Sequence, residues 1–423
     1  MTAIVGTLNR RGVVFAADSA ATFTTSTTRK ISNTANKIFA LSRKHPVGIA
    51  IYNNLDFYGV PWEIIFKRYR DYHLLDKCFP HIMDYINDFW EYLRSDILPK
   101  ISREDQLERL SYFVLRLKNE CIENAHKSLN DKKIAINDKT SFDEIVLFLE
   151  TLKAQYRLHS RSSEFKDYDM HIFSSSCKGI ISHELSDILT NHECPKELEQ
   201  LFMDVVYEII TSDVVVYYLQ TDLVFWGYGD DELFPSYHHY EITITIDQLI
   251  KYVAKDTYAV SNTATACVAP FAQTDVANTV VRGIDQKLRD EIAKIMFTSY
   301  DSFRNSLLDA LKKANAPIDL QKALLSVNIS EHIKSLTGIL DKYIRENYVD
   351  KLLDIVAFLS KEDLAEMAES LVKMTCLKRH ITTDEESVGG PVDVAVITKG
   401  DGFVWIKRKH YFLAELNHDF FKK

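Results

Sequence analysis

Thr2 carries the most distinctive chemistry in the chain. Once Met1 is removed, a step that a small second side chain permits, Thr2 holds a hydroxyl and a free α-amine on one residue. The amine can take the hydroxyl proton, so nucleophile and base are supplied together. An α-amine has an ordinary pKa of about 7.7–8.0, which leaves a useful neutral fraction near pH 7. Two further residues bear on this chemistry. Asp18 ends the apolar run 12–17, where a buried carboxylate needs a reason. It is either a satisfied residue at a strand-to-turn junction or a group that orients the amino terminus. Lys37 stands just before the apolar run 38–41. A lysine there either blunts an exposed strand edge or brings a cation that lowers the pKa of a nearby hydroxyl and amine.

The elements that must position these groups are legible as β at both ends and in the middle. Residues 2–8 and 12–18 are rich in Val, Ile and Ala around a polar turn. Residues 20–34 form a Ser/Thr-rich connection, and 36–41 with 47–52 predict a second hairpin. A helix is expected from Pro61, with Trp62, Ile65, Phe66 and Tyr69 at helical spacing. Residues 75–215 read as mostly helical, as in 107–125, where Leu110, Phe113, Val114 and Leu117 share a stripe, and in 197–218. Strands return at 221–228 and 232–246, and 265–269 predicts a short buried strand before a helix from Pro270. Residues 285–380 are again helical, and 387–398 with 403–406 close the chain as a hairpin. The helical stripes need an apolar partner, and each block is expected to find it in the other.

Composition narrows the class. The 423 residues are 46% hydrophobic and 26% charged, enough apolar material for a large core. A net charge of −9 without a basic tract argues against nucleic acid as a partner. The six cysteines form no C-x-x-C pair, so reduced thiols are expected. No apolar run approaches membrane-spanning length and no signal peptide is evident, so a cytoplasmic location is expected. His238 and His239 lie near Asp230 and Asp231, but the spacing of a metal motif such as H-E-x-x-H is missing. They are expected to be exposed strand histidines, and neither a metal nor a cofactor is expected.

Residues 2–60 resemble the proteasome β-subunit group of N-terminal-nucleophile hydrolases, including its bacterial relatives. The pattern is Thr2, Val5 and Gly6, then Gly12 through Asp18, Ser19 and Thr22, then Lys37 entering a strand. Weaker matches are residues 224–230 and the pair Gly389 and Gly390. The resemblance implies an α+β fold, a four-layer αββα sandwich with two large helical insertions. The sandwich would comprise residues 2–74, 216–284 and 381–423, with insertions at 75–215 and 285–380. It implies a threonine peptidase with Thr2 as nucleophile and Asp18 and Lys37 beside it; Lys30 is the rival lysine. Just before the pair Gly389 and Gly390 it implies an acid and a serine. Spacing from Gly389 assigns these to Glu385 and Val388, and a slip of one assigns them to Asp384 and Ser387.

Two segments depart from the family. The small Gly-rich turn that supplies an oxyanion-binding amide is 51–54 here, with Asn53 at the turn. A backbone N–H can still serve there. The Ser-Gly turn before a later helix is replaced by 269–273, leaving Gln273 or a water in the serine's place. An amidase acting on a non-peptide substrate, or an inactive assembly or regulatory protein on the same fold, are the alternatives. The expected partners are a peptide or unfolded protein substrate, copies of the same chain, and an ATP-dependent unfoldase.

Overall fold

The computed structural model describes residues 2–24, 29–189, 193–215, 220–382, 388–410, 412 and 417, the side chains of 23, 24 and 29 excepted. Along the chain come strands β1 (Ala3–Asn9), β2 (Gly12–Ala17), β3 (Ala21–Thr24), β4 (Arg29–Ser32), β5 (Ile38–Ala40), β6 (Val47–Asn53), β7 (Asp56–Phe57) and β8 (Val60–Pro61). Helices α1 (Trp62–Arg68), α2 (Ile82–Tyr92), α3 (Arg103–Asp131), α4 (Asp138–Arg157), α5 (Met170–Leu185) and α6 (Lys196–Thr211) follow. Next are β9 (Thr221–Gly227), β10 (Ser236–Ile246), β11 (Leu249–Ala259) and β12 (Ala266–Ala272). The second helical run is α7 (Asp275–Arg282), α8 (Gln286–Lys313), α9 (Ile318–Leu325), α10 (Ile329–Ile344), α11 (Asp350–Val356) and α12 (Lys361–Ile381). Strands β13 (Asp393–Thr398) and β14 (Gly402–Lys407) end the series. The class is α+β with antiparallel sheets.

The chain divides into two units. One comprises Met1–Ala35, Ala259–Thr398 and Val404–Lys423, and the other Asn36–Tyr258 with Lys399–Phe403. The first is built on a five-stranded sheet in the order β12-β1-β2-β13-β14. Every residue of β1 and β2 is buried, as their near-continuous apolar runs require. Helix α12 covers one face, where Leu364, Ala368 and Val372 pack on Val5, Val14 and Val396. The polar residues of β1 fasten the helical run to the sheet. Thr7 donates its hydroxyl to the Leu364 carbonyl at 3.1 Å, and the Asn9 amide donates to the carbonyls of Val356 and Leu359, each at 2.9 Å. Helix α8 is different. None of its 28 residues is buried, and Ile295, Phe303 and Leu288 are more than half exposed. An Arg289–Asp341 ion pair joins α8 to α10.

The second unit is built on a sheet in the order β11-β10-β9-β6-β5. Trp62, Phe66, Phe89 and Phe225 make an aromatic core on it, and Trp90 stacks on Tyr252 at 4.3 Å between centroids. The stripe Leu110, Phe113, Val114 and Leu117 is buried with Ile145, Phe173, Phe202 and Ile244. Its cover therefore comes from α4, α5, α6 and β10 of the same unit, so no second helical block is required to hold α3.

One expectation fails at a sheet edge, and a second edge strand was not foreseen. Pro270 does not start a helix but lies inside β12, opposite Val5 of β1, and the helix begins five residues later at Asp275. Strand β12 is an edge, where a residue without an N–H is tolerated. Strand β11 is likewise an edge, and its Lys251, Lys255 and Asp256 obscure the apolar pattern by which a strand is recognised. Asp247 and Gln248, at φ 46° and 65°, form the two-residue turn that joins it to β10. The predicted helix 197–218 ends at Thr211, and residues 216–219 lie outside the described residues.

Lys251 is fully buried, with its ammonium against the Ile209 carbonyl at 2.5 Å. Burial lowers its pKa to about 7, against a weaker opposing pull from Asp213. The unfolded chain then binds more protons than the native state between pH 7 and the ordinary lysine value, so stability should rise with pH across that window. Urea midpoints at pH 7.5 and 9.5 should therefore differ more in the parent protein than in Lys251→Met.

Candidate functional site

Asp18 gathers the start and the end of the first unit. Its carboxylate is 1% exposed and accepts three backbone N–H groups: Ala3 at 2.9 Å, Ala20 at 3.1 Å and Gly389 at 3.0 Å. The backbone repeats the link. Asp18 N–H donates to the Ala3 carbonyl and Ser19 N–H to the Gly389 carbonyl, at 3.1 and 3.0 Å. The Ser19 hydroxyl donates to the Pro391 carbonyl at 2.6 Å. Gly390 sits at φ 77°, and a Cβ there would come within 2.8 Å of Asn33, so the turn needs a glycine.

Thr2 is buried at 7% exposure, just ahead of β1. Its carbonyl accepts the Gln273 N–H at 3.1 Å. The Gln273 side chain is in turn held by Arg379, which also pairs with Asp275 at 3.0 Å. Thr2, Asp18, Gly389 and Gln273 are thus joined through a few hydrogen bonds in one unit. Val388 is buried in the core under α12. Asp384, Glu385 and Ser387 lie outside the described residues.

Lys37 and Asn53 belong to the other unit. Lys37 is 1% exposed, and its carbonyl accepts Ile51 N–H at 2.8 Å where β5 begins beside β6. It is therefore not a solvated edge lysine. Lys30, by contrast, is exposed. Asn53 ends β6 at φ 65° and donates its amide to Asp222 Oδ2 at 2.5 Å.

Asp222 opens a cluster that the sequence reading did not assign. His239 is buried rather than exposed. Its Nε2 lies 2.8 Å from Asp222 Oδ1 and 3.0 Å from the Tyr52 hydroxyl, and its Nδ1 lies 2.9 Å from Asp256 Oδ1. The Tyr237 hydroxyl donates to the other Asp256 oxygen at 2.8 Å. Burial works against a charge on His239, but the hydrogen bonds it donates to the Asp222 and Asp256 carboxylates outweigh it and raise the pKa to about 9. Glu241 lies opposite Asp222 in the β9–β10 register. Burial first, and then the Asp222 charge, hold its carboxyl above the ordinary range. One signal was available in the sequence: Asp222 interrupts an otherwise apolar strand, and His239 and Glu241 alternate onto one face of another. Their meeting depends on the strand register.

No protein-family model and no curated protein matches this chain. No described helix is long and apolar enough to cross a membrane.

Replacing Asp18 by Ala would leave three N–H groups without their acceptor, each worth about 1–3 kcal/mol if left unpaired. Partial entry of water offsets some of this, so Asp18→Ala should lower the unfolding free energy by about 2–4 kcal/mol in urea titration. Ser19→Ala, which loses one hydroxyl contact, should cost about 1 kcal/mol.

Proposed function

We propose that the chain is a threonine peptidase in which loss of Met1 exposes Thr2 as nucleophile and its α-amine as base. The observation that carries this is the Asp18 carboxylate, which binds the N–H directly after Thr2 and fixes the backbone from which the nucleophile projects. In the reaction, the amine takes the Thr2 hydroxyl proton and Oγ attacks a peptide carbonyl. The C–N bond then breaks, and the amine returns the proton to the leaving nitrogen. Water next attacks the Thr2 ester and releases the acid. Lys37 is assigned the cation that favours the deprotonated hydroxyl and amine. Its burial supports that assignment over Lys30, which is exposed. Gly389 positions Asp18, and Asn53 takes the oxyanion turn. Glu385 and Ser387 are assigned the support of the amine.

The fold that accompanies this function is the four-layer αββα sandwich, supported by the two five-stranded antiparallel sheets. The substrate is a peptide or an unfolded segment of protein. A homo-oligomer is the expected assembly. Support comes from α8, whose apolar residues are left exposed along its length.

Three measurements test the centre together. Intact mass of active protein should show Met1 absent; active protein that retains Met1 rules out the mechanism. Thr2→Ala should abolish both peptide hydrolysis and labelling by an epoxyketone, which needs hydroxyl and amine, while Thr2→Ser retains part of each. Lys37→Ala should lose most of the activity and Lys30→Ala almost none; the reverse order would shift the assignment to Lys30. For assembly, light scattering should give a mass above 48.8 kDa. Phe303→Asp, at a 62% exposed position of α8, should lower that mass without unfolding the chain.

A further inference from the structure

The odd-numbered residues of β10 present a buried polar face: Tyr237, His239, Glu241, Thr243 and Thr245. Such a face is costly unless its polar atoms are satisfied. Here several are not. Thr243 Oγ1, Thr245 Oγ1, Glu241 Oε2 and Gln220 Oε1 are buried oxygens without a hydrogen bond. Thr243 is 2% exposed and stands two residues from Glu241 on the same face. The Gln220 amide lies at the cluster, with its nitrogen 3.4 Å from Asp222 Oδ2. Lys255 Nζ lies 3.2 Å from Glu241 Oε2, an ion contact without hydrogen-bond alignment.

The charges are also unbalanced. Asp222 and Glu241 are directly opposed on antiparallel strands, an arrangement that repels. A divalent cation between the two carboxylates would relieve that repulsion. The geometry suits it: one ligand atom each from Asp222, His239 and Glu241 lie within 4.8 Å of one another. Zinc bonds to such ligands at about 2.0–2.2 Å, which side-chain shifts of under about 1 Å would reach. The support behind the imidazole is in place as well. Asp256 holds Nδ1, leaving Nε2 beside Asp222 and the Tyr52 hydroxyl, and Tyr237 holds Asp256. Carboxylate behind histidine is the common way to fix a ligating imidazole.

We propose that Asp222, His239 and Glu241 bind a divalent transition-metal ion, Zn2+ or Mn2+, with Asp256 as the positioning residue behind His239. The mixed imidazole and carboxylate donors favour these ions over Mg2+ or Ca2+, which take oxygen alone. All three ligands are less than a tenth exposed, so the ion's role is to tie β9 to β10. The proposal does not rest on the Thr2 chemistry.

The test uses the full-length protein stripped with a chelator and titrated calorimetrically with ZnCl2 and MnCl2, with Co2+ as a spectroscopic probe. Saturable binding of one ion per chain is expected, with a higher thermal midpoint and visible Co2+ absorption from a nitrogen- and oxygen-bound ion. Asp222→Asn and Glu241→Gln, checked for folding by circular dichroism, should lose the Co2+ spectrum. Asp256→Asn should weaken affinity by about 10–100-fold. A folded parent protein with no saturable binding of either ion overturns the proposal. So does binding that Glu241→Gln and Asp222→Asn leave unchanged.

Discussion

One carboxylate holds the first unit together. Asp18 takes N–H groups from residues 3, 20 and 389, so a single side chain joins the first strand, the turn after the second and the approach to β13. The N–H groups of residues 3 and 20 are buried there and would be orphans without it, and that of residue 389 is half-buried. The consequence for chemistry is geometric. The segment after Thr2 is anchored on one side by Asp18 and on the other by Gln273, whose own side chain is fixed by Arg379. A side chain on such a segment is restrained in position, the property that the proposed nucleophile would need.

The second unit solves a different problem with similar means. Its central strands are apolar toward the helices and polar on the other face, where Asp222, His239, Asp256 and Tyr52 form a continuous set of hydrogen bonds. Such networks specify one register, because a slip of one residue would put every charged group among the aromatic side chains of the opposite face. Asn53 extends the same network to the end of β6.

The sequence made the repetitive parts legible. The β1–β2 pair and the closing hairpin follow from apolar runs bounded by turn residues, and the helical blocks from stripes of helical period. The stripe from Leu110 to Leu117 was visible, but its partner was not, because spacing says which face is apolar and never what covers it. Edge strands were hidden for physical reasons. Charge on β11 and proline in β12 are what edges tolerate, and neither residue type marks a strand in the sequence. Asp18 is conspicuous in the sequence as an acid at the end of an apolar strand. The Asp222–His239 pair was missed because residues 17 apart meet only after two strands have paired.

The order of the strands sets a schedule for synthesis. Strand β2 ends at Ala17, yet its outer neighbour β13 begins at Asp393, and the helix that covers the sheet spans Lys361–Ile381. At about 5–20 residues per second, the first hairpin would wait for about 20–75 s before that neighbour leaves the ribosome. Meanwhile the segment Asn36–Tyr258 of the second unit, which contains every strand of its sheet except the last residue of β11, has already been made. Its folding can begin while Val5, Val14 and Phe15 are still without their final cover. The apolar β1–β2 hairpin is therefore made long before the helix and the strand that cover it.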